Sequence, residues 1–241
     1  MNLCIARVVR STVFAMCAAS LAALAACGGS VCIGVDGCVG GTVTQNLALA
    51  GTAATGKALA SANVNVACAQ GSGATLSDGG GRYSLAFNAT PPCVITVTSG
   101  GTTLHSLAFA GGTFNTTPET DLLLVYLAAQ LGTTESGLIA NFASNAQFQQ
   151  ALANQSNVLN AQSAVVANLQ QHYAVTLSAP AFLTTPFTVG QAGVDSDLDA
   201  LAKAGAIDSN GMPDPAAIAL MAQAGAAHPL AKASAPLSGG M

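Results

Sequence analysis

A chain of 241 residues with 51% hydrophobic and only 7% charged side chains is long enough to bury a sizeable core. Its net charge of −4 leaves it too poor in cations to hold nucleic acid or another polyanion by charge. Neutral polar side chains must keep most of its surface wet, a style that suits an exported protein.

Taken from the start, Arg7 and Arg10 precede an uncharged run from Val13 to Ala26, the n-region and h-region of a secretory signal. The run is fourteen residues, whereas spanning a bilayer as a helix needs about twenty, so a permanent transmembrane anchor is the weaker reading. No other apolar stretch is long enough either. The run ends Leu24-Ala25-Ala26-Cys27-Gly28-Gly29-Ser30, which resembles the bacterial lipobox, where the cysteine takes diacylglycerol through its thiol. The resemblance implies a signal peptide of residues 1–26, cleavage before Cys27, and attachment to a membrane through lipid on that cysteine. Ordinary signal-peptidase cleavage at Ala23-Leu24-Ala25 is the competing reading, but charge, run length and cysteine position agree on lipidation. Gly28 in place of an aspartate resembles the pattern of lipoproteins sorted to the outer membrane, on its periplasmic face or the cell surface. Without residues 1–26, four cations (Lys57, Arg82, Lys203 and Lys232) face ten carboxylates, a charge of −6.

Beyond Cys27, four cysteines remain: Cys32, Cys38, Cys68 and Cys93. An even number in an oxidising compartment points to two disulfides, for which four cysteines allow three connectivities. A metal site is the weaker alternative, because no pair has CxxC spacing and no histidine lies near. Residues 27–40 read as a glycine-rich tether carrying Cys32 and Cys38. From 41 to 112 the pattern is period-two with glycine-rich breaks, the mark of short strands. Val64, Val66 and Cys68 share one strand face, as do Tyr83, Leu85 and Phe87, and then Cys93, Ile95 and Val97. Cys68 and Cys93 thus lie on apolar faces where a cross-sheet disulfide can form. This phasing pairs Cys68 with Cys93 and Cys32 with Cys38.

Leu59 to Val66, followed by Thr75-Leu76-Ser77-Asp78-Gly79-Gly80-Gly81-Arg82-Tyr83-Ser84-Leu85, resembles the carboxypeptidase regulatory-like domain. Over residues 45 to 110 the resemblance implies a small antiparallel transthyretin-like β-sandwich. Asp78 and Gly81 match the family's acidic turn, and Tyr83 matches the aromatic that packs its core. Ser61 departs from the pattern, standing where the family usually has glycine. The module is non-catalytic in the enzymes that carry it, so the resemblance speaks for fold and not for activity.

After Thr113 the period becomes helical. Thr116-Thr117-Pro118-Glu119 predicts a helix start capped by Thr116 with Glu119 three residues on. The run Leu122 to Leu131 is apolar nearly all round and must be covered, and Gly132 closes it. Ser144 with Gln147 predicts a second cap, with Phe148 and Leu152 facing inward; Val158, Gln162, Val165, Leu169 and Tyr173 continue at helical spacing. Thr176 to Gly193 reads as a connection pinned by Phe182, Leu183 and Phe187. Short helices follow from Asp195 to Ala204, ended by Gly205, and from Asp214-Pro215 to Ala224, ended by Gly225. The expected class is therefore α+β: a sandwich over 41–112, four or five short helices over 113–225, and a disordered tail over 226–241.

Candidate chemistry is sparse. Asp195-Ser196-Asp197-Leu198-Asp199 has the opening spacing of a calcium loop, but Ala200 and Ala206 stand where an EF-hand needs glycine and glutamate. An acidic helix start explains it better. Asp208-Ser209-Asn210-Gly211 reads as a β-turn, and a calcium shared between the two acidic segments stays open. His105, His172 and His228 have no ligand-like spacing to one another, and no nucleophile elbow, SxxK, HExxH or phosphate loop is present. The reading is a non-catalytic envelope lipoprotein without a cofactor or metal, binding an envelope protein or glycan. The alternative is an envelope-associated hydrolase with a site assembled from distant residues, for which His105 is the best candidate base.

Overall fold

Alternation of apolar and polar side chains folds the first part of the chain into strands. The structure is a computed structural model and describes residues 44–230. The expected signal peptide, Cys27, the expected tether with Cys32 and Cys38, and the chain after Leu230 lie outside the described residues. The strands are β1 (Gln45–Thr52), β2 (Asn63–Gln70), β3 (Ser72–Leu76), β4 (Arg82–Ser99), β5 (Thr102–Ala108) and β6 (Gly112–Thr113). They form a six-stranded mixed sheet in the order β3-β2-β4-β1-β6, with β5 also on β4.

The sequence reads two strands where the structure has one. β4 runs for 18 residues; its first half pairs with β1, and its second half lies between β2 and β5. The change of partners falls at Pro91 and Pro92, which have no N–H to give to either ladder. A second correction concerns strand direction. β6 runs parallel to β1, with Leu49 opposite Gly112, so the sheet is mixed and not wholly antiparallel. The chain leaving β5 returns alongside β1, where Phe114 N donates to the Ala50 carbonyl (2.8 Å) and Thr116 N to that of Thr52 (3.0 Å).

The expected strand faces are present: Val64, Val66, Cys68, Cys93, Ile95 and Val97 are all buried on one side. Cys68 lies directly opposite Cys93 in the β2–β4 ladder and is disulfide-bonded to it. The bridge therefore staples neighbouring strands of one sheet, not two sheets. Asp78 closes the β3–β4 turn, its Oδ1 accepting from Gly80 N and Arg82 N at 2.8 Å each. Ser61, just before β2, takes φ +51, a left-handed conformation that glycine adopts at less cost.

The helices are α1 (Pro118–Gln130), α2 (Glu135–Asn141), α3 (Ala146–Ala153), α4 (Gln155–Tyr173), α5 (Val194–Ala204) and α6 (Pro215–Ala226), with a 3-10 turn at Phe142–Ser144. α1 begins one residue later than expected. Thr116 is tied to the β1 edge by its backbone and to Tyr83 by its hydroxyl, so Thr117 is the cap. Thr117 N donates to Thr120 Oγ1 (2.9 Å) and Thr120 N to Thr117 Oγ1 (3.4 Å), a reciprocal box. Gly132 closes the helix at φ +72, with Thr133 N donating to the Ala128 carbonyl (2.9 Å). As its apolar surface demands, α1 is covered by β5, α2, α4 and α6. Among the described residues no single helix is long and apolar enough to cross a membrane.

α2 was not foreseen: it is one short helix capped by Thr134, with only Leu138 buried. α3 is capped by Asn145 and not by Ser144; its Oδ1 accepts from Gln147 N (3.0 Å) and Phe148 N (3.2 Å). Gly225 does not end α6 but sits inside it, where a Cβ would lie 2.3 Å from the Tyr126 carbonyl of α1. The segment after α6 is held as far as it is described, with Gln130 Nε2 donating to the His228 carbonyl (2.9 Å) and Leu230 N to that of Gln130 (3.0 Å). Phe182 and Leu183 are buried as expected, and Asn115 Nδ2 binds the Phe182 and Thr185 carbonyls at 2.8 and 2.7 Å.

Candidate functional site

Strand periodicity that buries Val64 and Val66 turns Asn65 and Ala67 to the opposite face. Ladder register then sets Ala74, Asn65, Thr96 and His105 side by side across β3, β2, β4 and β5. α2 and the 3-10 turn stand over this face, with Ile139, Phe142 and Ala143 toward β2 and β3. The turn is held by Gln149 Nε2, which donates to the Phe142 (2.9 Å) and Ala143 (3.1 Å) carbonyls. Between turn and strands lies a groove of about 430 Å³ floored by Asn65, Ala67, Ser72, Ala74, Val94 and Thr96. No titratable side chain lines it. Its volume falls within the usual range for small-ligand sites.

His105 continues the same row and meets two carboxylates. α1 supplies Asp121, whose Oδ1 accepts from His105 N (2.7 Å) and from the ring Nδ1 (3.0 Å). α2 supplies Glu135, whose Oε1 lies 3.3 Å from the same Nδ1. The side chains of His105, Asp121 and Glu135 are 21%, 5% and 20% exposed, so the cluster is sunk in the surface with a mouth to solvent. Thr120 Oγ1 donates to the His105 carbonyl (2.9 Å), which fixes strand against helix.

Burial opposes charge on the His105 ring, but the Asp121 hydrogen bond and the close carboxylates of Asp121 and Glu135 outweigh it and raise its pKa from 6.5 to about 9. Burial and the Asp121 charge push the Glu135 carboxyl up to about 7 against the pull of the imidazolium. His105 is therefore held between two carboxylates, although no ligand-like spacing in the sequence marks it. Its Nδ1 is engaged by carboxylates and not by a serine or threonine hydroxyl.

The acidic segment at Asp195 is used internally. Asp195 Oδ2 accepts from Gly190 N (2.7 Å), while Asp197 accepts from Ser178 N and Oγ (2.9 Å each) and from Ala179 N (2.8 Å). These carboxylates pin the connection that precedes α5. Asp208 closes the expected turn, its Oδ1 accepting from Asn210 N (2.9 Å) and Met212 N (2.8 Å). Glu119, freed from capping, is fully buried without a hydrogen-bond partner. Burial and the charge of Asp197 raise its pKa well above the ordinary carboxylate range. His172 meets Tyr173 edge-on, with ring centroids 5.0 Å apart, and is not among the three side chains that converge at His105.

Sequence reasoning singled out His105 but missed Asp121 and Glu135. The two acids stand in the first turns of separate helices, where a favourable meeting with the dipole accounts for them, and no spacing joins them to His105. The fold defines an α+β protein with an uncharged, largely apolar groove and a histidine–carboxylate cluster on one sheet face. Compared with protein-family models, curated proteins and solved structures, the chain matches none.

Proposed function

We propose that the chain is a non-catalytic envelope lipoprotein, held on the outer membrane by lipid on Cys27, whose strand part is a transthyretin-like sandwich that binds an envelope protein or glycan. The groove carries this reading. Its amide, hydroxyl and apolar lining offers hydrogen bonds and contact area but no acid or base, and so nothing to activate the Ser72 or Thr96 hydroxyl. The sandwich reading is supported by the Asp78 turn, by the positive φ of Ser61 where the family has glycine, and by the burial of Tyr83. It is supported as well by Gly73 of β3, where a Cβ would lie 3.0 Å from the Phe87 ring on the first half of β4.

The groove reading predicts a defined crosslinked species when a photo-reactive residue replaces exposed Asn65 in the native envelope, and none when it replaces exposed Gln223 on α6. Equal products at both positions, or none at either, refute it. Hydrolysis of cell-wall or ester substrates that disappears in His105→Ala would favour the alternative, an envelope-associated hydrolase. Anchoring is tested separately. Cys27→Ser is expected to abolish incorporation of labelled fatty acid and partitioning into detergent, and equal labelling of the variant would sink the lipid anchor.

A further inference from the structure

We infer that His105, Asp121 and Glu135 form a binding site for one divalent transition-metal ion of the zinc class. The site is independent of the groove reading, because its donors lie on β5, α1 and α2 and not on the groove floor.

His105 Nδ1 carries at most one proton, which goes to Asp121 Oδ1 at 3.0 Å, while Glu135 Oε1 waits at 3.3 Å. That glutamate oxygen is shut off from solvent and accepts no well-directed hydrogen bond. A buried oxygen left in this state costs free energy that a native structure normally avoids. A cation at the meeting point of all three atoms satisfies each of them at once.

Geometry agrees with this assignment. One ligand atom from each residue lies within 4.8 Å of the others. Zinc bonds of roughly 2.0–2.2 Å set neighbouring donors roughly 3.0–3.5 Å apart, the spacing at which Nδ1 stands from the two carboxylate oxygens. The surroundings are arranged as metal ligands require. Asp121 Oδ1 is oriented by the His105 backbone N–H (2.7 Å), and the His105 carbonyl is held by Thr120 (2.9 Å). The partial exposure of the His105 and Glu135 side chains gives an ion an approach from solvent, and a water would complete four-coordination as in open zinc sites.

Chemistry selects the ion. One imidazole nitrogen with two carboxylates suits zinc or manganese, and three protein donors suit the low coordination number of zinc. Calcium, which takes six to eight oxygens, finds too few here. To bind, Nδ1 must be free of a proton, and the neutral imidazole can carry its single proton on Nε2 instead.

The test is calorimetric titration of Zn²⁺ alone into the purified tag-free full chain. One ion per chain is expected, with binding weakened at least about 10-fold in Glu135→Gln and in His105→Ala, since loss of even an outer-shell partner of a metal ligand costs about 10–100-fold. His172→Ala and His228→Ala are expected to bind as the parent does. Should either ligand variant fail to fold, Co²⁺ added to the unmodified chain is expected to give the visible spectrum of a four-coordinate nitrogen and oxygen site. Absence of binding, unchanged affinity in folded Glu135→Gln, calcium binding of equal strength, or a six-coordinate Co²⁺ spectrum would each overturn the assignment.

Discussion

Replacing both Cys68 and Cys93 with alanine is expected to lower the unfolding free energy by about 3 kcal/mol, the chain-entropy value for a closed loop of this size. The bridge spans 25 positions, from β2 through β3 and the Asp78 turn to the middle of β4. In its absence the unfolded chain regains that loop's freedom, while the native ladder keeps its pairing. Both cysteines are buried, at 5% and 0% exposure, so reductant alone is expected to act slowly on the folded protein and fully on the unfolded one. Urea unfolding of parent and double variant measures the difference. A loss below about 1 kcal/mol would mean that the β2–β4 ladder persists in the unfolded state. Non-reducing peptide mapping checks the connectivity; a peptide joining Cys32 to Cys68 would refute it.

Gly225→Val is expected to cost more than about 3 kcal/mol, and Gly225→Ala about 2 kcal/mol, by overpacking of the contact between α1 and α6. The sign carries the information. On helix propensity alone, alanine in place of a mid-helix glycine stabilises by about 1 kcal/mol. Here the added Cβ would lie 2.3 Å from the Tyr126 carbonyl and 2.9 Å from Ala129 Cβ, so the helices must separate. Because Tyr126 belongs to a helix buried on all sides, that separation opens the packing against β5 and α4 as well. Ala219, exposed on the same helix, supplies the control: Ala219→Gly is expected to cost about 1 kcal/mol through propensity alone. Thermal or urea unfolding of the three variants decides the matter, and a stabilised Gly225→Ala would show that the two backbones do not meet there.

Much of the local structure is written in the sequence because it depends on near neighbours. Period-two alternation gives the faces of β2 and of both halves of β4, and it places Cys68 and Cys93 where they can bond. The same holds for the aspartate cap of α6, the glycine end of α5 and the apolar run of α1, each set by a side chain within a few positions of the backbone it serves. Errors arise where a tertiary contact takes up a residue that local rules would use. Thr116 is spent on the β1 edge and on Tyr83, so Thr117 caps α1, and Gly225 is spent on the approach of two helices, so it does not stop α6.

By itself the sequence determined the α+β class, the strand faces, the position of the disulfide and the polarity of the exposed side of the sheet, since each follows from the two-residue or 3.6-residue repeat. Only the tertiary structure decided that β4 is one strand shared between two sets of partners, that β6 runs parallel to β1, and that His105, Asp121 and Glu135 meet. Those three side chains come from a strand and two helices whose relative placement is set by how α1 buries its whole apolar surface. Burial is non-directional, so no spacing in the chain records which side of α1 turns Asp121 toward His105; that orientation exists only once the core has closed around the helix.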